Sequence, residues 1–488
     1  MAGKVRINKS TKFSRLICEY IEASGYTVYK LSQLAGLDRT AVQHIMAGKF
    51  VPKKDFFDKL CSVLFITPMQ KRELTELYLE EKFGRKAYNE RKCMKRIIEN
   101  LPQYYINAAY SVESNIDDML ETGVVSGTIN VNRAIIAVIT RELRCNKPRI
   151  STTIPFSNTM LFDVIIQMLG SYNAEVVFEH YLRIFRSIDN TADENLDTLE
   201  NVLKMSMNAG IAYNPYSYYA YRVAVDDELS VFPYCLLTSE FAVLITADFQ
   251  SAVISDDKAM YDIVKKNIDT VKNSSQPMVK LVENKDMFDI FASSTRFYEK
   301  SIEYQPCITK FLTWDIITKR LRNIPERDYI LDVIKEFFFS PEAIEAISTQ
   351  EAVCVFSQKG LEHFTDTGSM INLPGQLLEP LSVSERLYML ECIKNDRNSF
   401  RMIDSDKLQI PDFIQMIYMN NQSGIISCTT NDKKFVCVVN EHSLSLSFDD
   451  FITSLFELDI TATEDEMVSA INRCIDKLRT NYYSILEI

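Results

Sequence analysis

The stretch Tyr26-Thr27-Val28-Tyr29-Lys30-Leu31-Ser32-Gln33-Leu34-Ala35-Gly36-Leu37-Asp38-Arg39-Thr40-Ala41-Val42-Gln43-His44-Ile45-Met46-Ala47-Gly48-Lys49 decides how the first part of the chain folds. Leu31 and Leu34 give a short helix an inward face, and Ala35 is small enough to let a second helix approach. Gly36 can adopt a positive φ and turn the chain, because it has no Cβ to clash. Asp38 can cap the next helix by accepting one of its unpaired N–H groups. That helix buries Val42 and Ile45, leaves Arg39, Thr40, Gln43 and His44 on the opposite face, and ends before Gly48 as a left-handed stop.

The flanks agree with this reading. Phe13, Leu16, Ile17, Tyr20 and Ile21 fall at helical spacing, and Phe56, Phe57, Leu60 and Leu64 do so after Pro52. Breaks at Gly25, Gly36, Gly48, Pro52 and Pro68 divide residues 10–82 into short helices, so an all-helical segment is expected. Turn, spacing and flanking helices together resemble the helix-turn-helix of the lambda-repressor/Cro-type family, the XRE family, over about residues 10–75. The resemblance implies a second helix that enters the DNA major groove and a regulator that binds inverted repeats as a dimer.

Residue by residue, Arg39, Thr40, Gln43 and His44 match the base-reading positions. Arg39 suits a guanine edge, Thr40 a thymine methyl or a phosphate, Gln43 an adenine, and His44 a base or a phosphate. Lys49, Lys53 and Lys54 sit where phosphate contacts fall, and the arm Lys4, Arg6, Lys9 and Lys12 offers more. Arg39, Gln43 and His44 would also suit a merely solvated helix face. Two positions depart from the family pattern. Val28 stands where Gln is common, which removes a phosphate contact, and Met46 stands where Glu is common.

Charge separates this head from the rest. Residues 1–100 carry 20 Lys and Arg against 11 Asp and Glu, whereas the whole chain carries 54 against 66, for a net −12. A basic head on an acidic body suggests that only the head meets a polyanion. The basic run Arg85–Arg96 reads either as a DNA edge or as a connector helix whose apolar face (Cys93, Ile97, Leu101) packs on the body.

Beyond about residue 101 strand-like runs alternate with helical ones, which argues for a large mixed α/β body. Strands are expected at Arg149–Phe156, Glu175–Phe178, Tyr216–Val225, Phe241–Ala247, Val353–Phe356, Gly424–Cys428 and Phe435–Val439. Helices are expected at Asn132–Leu143, Thr159–Leu169, Leu196–Met207, Lys258–Val271 and Asp465–Leu478, with a loop at Ser187–Asn195. Tyr221-Arg222-Val223 onward resembles Phe400-Arg401-Met402 onward, each followed by strand, turn, strand and an acidic helix start. The body therefore reads as two related lobes. The expected divisions are 1–82, a connector at 83–100, 101–325 and 326–488.

Composition narrows the function. Hydrophobic residues make up 47% of the 488, and Gly plus Pro number 13 and 14, which excludes linker-rich or disordered chains. The polar, basic start has no apolar leader core and no long apolar run occurs, so a cytoplasmic protein outside the membrane is expected. Eleven scattered cysteines without a C-x-x-C pair read as reduced core thiols. The four histidines, His44, His180, His363 and His442, share no metal-ligand spacing. No phosphate-loop, dinucleotide or hydrolase motif occurs, so neither catalysis nor a cofactor is expected. Ser255-Asp256-Asp257 reads as a helix cap and Asp404-Ser405-Asp406 as a turn. The run Tyr213–Tyr221 suits a strand with tyrosines on both faces, or a pocket wall. Trp314 reads as core.

The resulting expectation is a bacterial, sequence-specific transcriptional regulator of duplex DNA. Its body would make it a homodimer and sense a small-molecule ligand. The alternatives are an adaptor in phage defence or plasmid control whose helix-turn-helix binds a protein, and an enzyme with a DNA-targeting head.

Overall fold

The computed structural model describes residues 11–104, 121–170, 176–185, 192–209, 212–220, 230–282, 298–325, 327–349, 352–371, 377–412, 414–419, 423–430, 433–439, 441–457 and 460–486. The chain divides into two compact units, 1–92 and 93–488.

The first unit is helical: α1 (Lys12–Ala23), α2 (Val28–Ala35), α3 (Arg39–Met46), α4 (Lys54–Val63), α5 (Pro68–Phe83) and the start of α6 (Arg85–Tyr104). Four of its helices, α1, α2, α3 and α5, begin where side chains cap them. The side chains of Thr11, Thr27 and Asp38 accept from backbone N–H groups, and Thr67 with Gln70 forms a reciprocal capping box. One apolar core joins Phe13, Ile17, Leu31, Val42, Ile45, Phe57, Leu60 and Leu74, with Phe57 stacked on Tyr78 at 4.2 Å. The basic arm Lys4, Arg6 and Lys9 lies outside the described residues.

One inward position differs from expectation. Leu34 is 48% exposed, while Leu31 is fully buried. The inward slot one turn after Leu31 belongs to Ala35, four residues on, and position 34 projects outward.

The second unit holds two sheets. The first is built from β1 (Gly123–Ser126), β2 (Arg149–Thr152), β3 (Val177–Phe185), β4 (Tyr213–Ala220), β5 (Tyr234–Leu237), β6 (Ala242–Ile245), β7 (Ser251–Ser255) and β8 (Gln276–Pro277), in the order β1-β7-β6-β5-β2-β3-β4-β8. The second comprises β9 (Val279–Val282), β10 (Tyr298–Glu303), β11 (Val353–Ser357), β12 (Phe400–Ile403), β13 (Ile414–Met419), β14 (Ser423–Thr430) and β15 (Lys433–Val439), in the order β12-β11-β10-β13-β14-β15-β9. Strands on both sides of residue 325 thus build the second sheet.

Read strand by strand, the two sheets share one plan. β2, β3 and β4 are parallel, as are β10, β11 and β12. An antiparallel meander leaves the first strand of each trio, β5-β6-β7 from β2 and β13-β14-β15 from β10. The strand that precedes each trio closes the far end, β1 on β7 and β9 on β15. Helices α7 (Thr128–Leu143), α8 (Thr159–Gly170) and α9 (Ala192–Ala209) pack with the second half of α6 on the first sheet. There Cys93, Ile97 and Leu101 are buried, and Arg96 pairs with Asp197 and Glu200.

Several expected elements shift. The strand placed at Glu175–Phe178 runs from Val177 to Phe185, and the one at Arg149–Phe156 stops at Thr152. The loop placed at Ser187–Asn195 gives way to α9 from Ala192. Asn195 is drawn into the fold: its side chain donates to Phe185 O at 2.9 Å and accepts from Phe185 N at 3.0 Å. Trp314 is more than a third exposed and meets Phe339 edge-on instead of lying in the core. Residues 221–229, which carry half of the repeat comparison, lie outside the described residues.

Candidate nucleic-acid interface

The face of α3 is set by its neighbours. Val42 and Ile45 are buried against α1 and α2, which turns Arg39, Thr40, Gln43 and His44 to solvent. Arg39 and Gln43 are four residues apart, as are Thr40 and His44, so the four side chains form two adjacent rows. Asp38 fixes the start of the helix, accepting from Ala41 N at 2.8 Å. Gly36, at φ 63°, fixes the turn before it. Gly48 (φ 64°) stops the helix after it, with Lys49 N–H bonded back to His44 O at 2.9 Å.

Between Tyr26 and Lys54 the acidic residue is Asp38 alone, against Lys30, Arg39, Lys49, Lys53 and Lys54. The unit's other carboxylates lie on α1 (Glu19, Glu22), α4 (Asp55, Asp58), α5 (Glu73, Glu76, Glu80, Glu81) and the start of α6 (Glu90). The stretch from α2 to the start of α4 is therefore net basic, as is the start of α6 with Arg85, Lys86, Arg91 and Lys92 against Glu90.

The three expected phosphate lysines are not equivalent. Lys49 and Lys53 are exposed with no carboxylate partner among the described residues. Lys54 is half-buried and paired with Asp58 at 3.1 Å, which spends part of its charge inside α4. Lys53 stands at the N-cap of α4 with no side-chain cap hydrogen bond. The first N–H groups of α4 thus remain available to an anion, in a place where the helix dipole favours one.

Two residues were not singled out in the sequence, Tyr29 and Lys30 on the first turn of α2. Both are exposed, and the Tyr29 hydroxyl accepts from Gln33 Nε2 at 2.8 Å, leaving its own O–H proton to be donated outward. The signal was present, since both precede the inward Leu31 by one and two positions. The two family departures have a structural account as well: Val28 and Met46 pack as partly buried side chains against the core of the unit, and Cys18 Sγ lies 3.4 Å from Met46 O.

In the second unit the singled-out residues are mostly structural. His180 is fully buried between Tyr213 Oη (3.0 Å) and Ile154 O (2.6 Å), and burial lowers its pKa to about 4. The tyrosine run alternates across β4. Tyr213 faces His180, Tyr216 stacks on Tyr181 at 5.3 Å, and exposed Tyr219 donates to Glu441 at 2.6 Å. Burial would raise the Glu179 carboxyl, but Lys272, Ser151 and Tyr181 donate to it and hold it below its ordinary range. Asp257 caps the helix Lys258–Ser274, and Asp404 accepts from Asp406 N in a turn. Among the described residues no group of three or more His, Cys, Asp or Glu side chains can hold a metal ion. No described helix is long and apolar enough to cross a membrane.

No protein-family model and no curated protein matches the chain. Among solved structures, the archaeal chromatin protein TrmBL2, described for its mode of DNA binding, aligns over 55% of this chain and 100% of its own, at 11% identity and a TM-score of 0.20. The phosphatidylserine synthase of Haemophilus influenzae Rd KW20 aligns over 80% and 99%, at 8% identity and a TM-score of 0.21. Scores this low carry no argument about fold or function.

Proposed function

We propose that the chain is a sequence-specific transcriptional regulator that binds duplex DNA through its N-terminal unit. In this reading α2, the Gly36 turn and α3 are a helix-turn-helix of the lambda-repressor/Cro type. Arg39, Thr40, Gln43 and His44 read base edges, while Lys49, Lys53 and the open start of α4 seat phosphates. One observation carries it. The four side chains with base-reading chemistry share the exposed face of α3, in the acid-poor part of the head.

The body acts as the dimerising and ligand-sensing part in the cytoplasm. The common strand order of its two sheets supports two related lobes. A dimer supplies the affinity that one small reader lacks, because the second head binds at high effective concentration.

The test is selection from a random duplex library at physiological salt, beside Arg39→Ala. The wild type is expected to recover an inverted repeat with half-sites about one or two helical turns apart. Arg39→Ala should lose about 1–3 kcal/mol at one base position with an unchanged melting temperature. Identical recovery by both proteins would sink the base-reading role. The rival reading, a helical unit that binds a protein, draws on exposed Phe65 and Met69, which a phosphate interface does not use.

A further inference from the structure

The helix Gln358–Thr367 leaves the end of β11, and the helix Glu464–Leu486 packs against it. Each is fixed at its start. Ser357 accepts from Gly360 N, and Thr463 and Glu466 accept from each other's backbone N–H. Leu361 and Phe364 on the first helix, and Met467, Ile471 and Leu478 on the second, enter one apolar core. Ala470 and Cys474 are small, and beside Leu361 they leave a cavity of about 160 Å³ between the helices.

Helical spacing sorts the lining by charge. Gln358 and Glu362, one turn apart, stand on the wall made by the first helix. Arg473 and Lys477, one turn apart, stand on the wall made by the second. Leu361, Ala470 and Cys474 supply buried apolar surface between them. One wall thus carries a carboxylate and an amide, and the other carries two cations.

The walls do not neutralise each other. Glu362 accepts from Gln358 Nε2 at 2.9 Å, within its own helix. Lys477 pairs with Asp366, one turn beyond Glu362, at 2.5 Å. Among the described residues neither Glu362 nor Arg473 has an ion-pair partner. A simple anion in this cavity would meet Glu362, and a simple amine would meet Arg473 and Lys477. A molecule carrying both signs matches both walls. Size narrows it further, since the volume equals that of roughly five waters and falls below the ~300 Å³ of ordinary drug-sized sites. The cavity also lies beside the carboxyl end of the parallel strand β11, the end at which open α/β sheets hold ligands.

We propose that this cavity binds a free α-amino acid. Arg473 and Lys477 hold its carboxylate, for which the guanidinium fork is suited. Glu362 holds its ammonium, and Gln358, whose amide nitrogen is given to Glu362, leaves its oxygen as a second acceptor. Its side chain lies on Leu361, Ala470 and Cys474. This names the ligand class of the sensing body in the functional reading above and rests on that part of it.

The test is calorimetric titration of the full chain, without DNA, with each standard L-amino acid in turn. Wild type is compared with Arg473→Gln, Glu362→Gln and the control Arg479→Gln, which lies on the same helix and pairs with Glu391. At least one amino acid is expected to bind at a single site per chain. The same compound without its ammonium, or without its carboxylate, should bind about tenfold or more weakly, because one wall is left unmatched. Arg473→Gln and Glu362→Gln should each weaken binding by about tenfold or more with unchanged melting temperatures, and Arg479→Gln should bind as wild type does. Binding of no amino acid overturns the site, as does binding that neither substitution weakens. Repeating the duplex selection with saturating ligand judges the functional reading separately: an unchanged selection removes sensing and leaves the site standing. A selection that responds to the small-molecule fraction of a cell extract, with no amino acid bound, removes the site and leaves sensing.

Discussion

The helices Lys258–Ser274 and His442–Glu457 stand at the same place in the two sheets, each following the last strand of its meander, yet they are buried differently. The first fully buries only Val264 and Ile268 and turns lysines and aspartates outward. The second buries Leu444, Phe448, Phe451, Ile452 and Leu455, because it lies between the second sheet and α9. Its inward serines return hydrogen bonds to their own helix, Ser445 to Glu441 O and Ser454 to Phe451 O. The number of sides covered, more than the topological slot, sets a helix's pattern.

Substitutions can sharpen that contrast, and the largest effect is expected at Gly360. A Cβ there would lie 1.6 Å from Tyr304 O, a backbone atom held in place by Ser357 N and Oγ at 3.2 and 2.9 Å. Gly360→Ala should cost more than about 3 kcal/mol in urea unfolding, beyond ordinary overpacking. In the first sheet's layer, Gly170 has 3.4 Å to its nearest backbone atom, so Gly170→Ala should cost far less. Equal losses would mean that the junction of β10 with the helix Gln358–Thr367 is not the tighter one.

Next comes Leu455→Ala in the doubly covered helix, at about 2–5 kcal/mol, read from the same denaturation curves. A loss under about 1 kcal/mol would show that this helix is not sandwiched.

His180 separates the sheets by pH. Its native pKa of about 4 lies below the ordinary value of 6.5, so the unfolded chain takes up the proton first. Stability from this group is full above about pH 6.5 and falls as pH drops toward 4, by roughly 3 kcal/mol at most. The corresponding strand β11 (Val353–Ser357) carries no imidazole. The slope should vanish in His180→Gln, and a wild-type curve that is flat over that window would contradict the assignment. The smallest effect belongs to Ile263→Ala, on the open side of Lys258–Ser274, at under about 0.5 kcal/mol.

Much of the head was legible because its signals are local. Gly36, Asp38 and Gly48 act within a turn of themselves, so their roles read directly from spacing. Leu34 misled because two apolar residues compete for one inward slot, and only the approach of the other helices chooses between Leu34 and Ala35. In the body, the helix Lys258–Ser274 was readable from its amphipathic stripe. β10, β12 and β13 were not singled out as strands: runs of four to six residues hold little periodicity, so some, like β2, β6 and β11, are found and others are not. Asn195, placed in a loop, became a partner of Phe185 through a contact ten residues away.

What the sequence determined by itself is the helical head, its turn chemistry, the exposed set Arg39, Thr40, Gln43 and His44, and the change of texture to α/β, since each depends on neighbours within one or two turns. Tertiary structure alone decided that His180 is an uncharged core residue. It also decided that two sheets share one strand order. Those properties depend on which distant segments arrive alongside, and a strand carries no local record of whether its far edge will be covered.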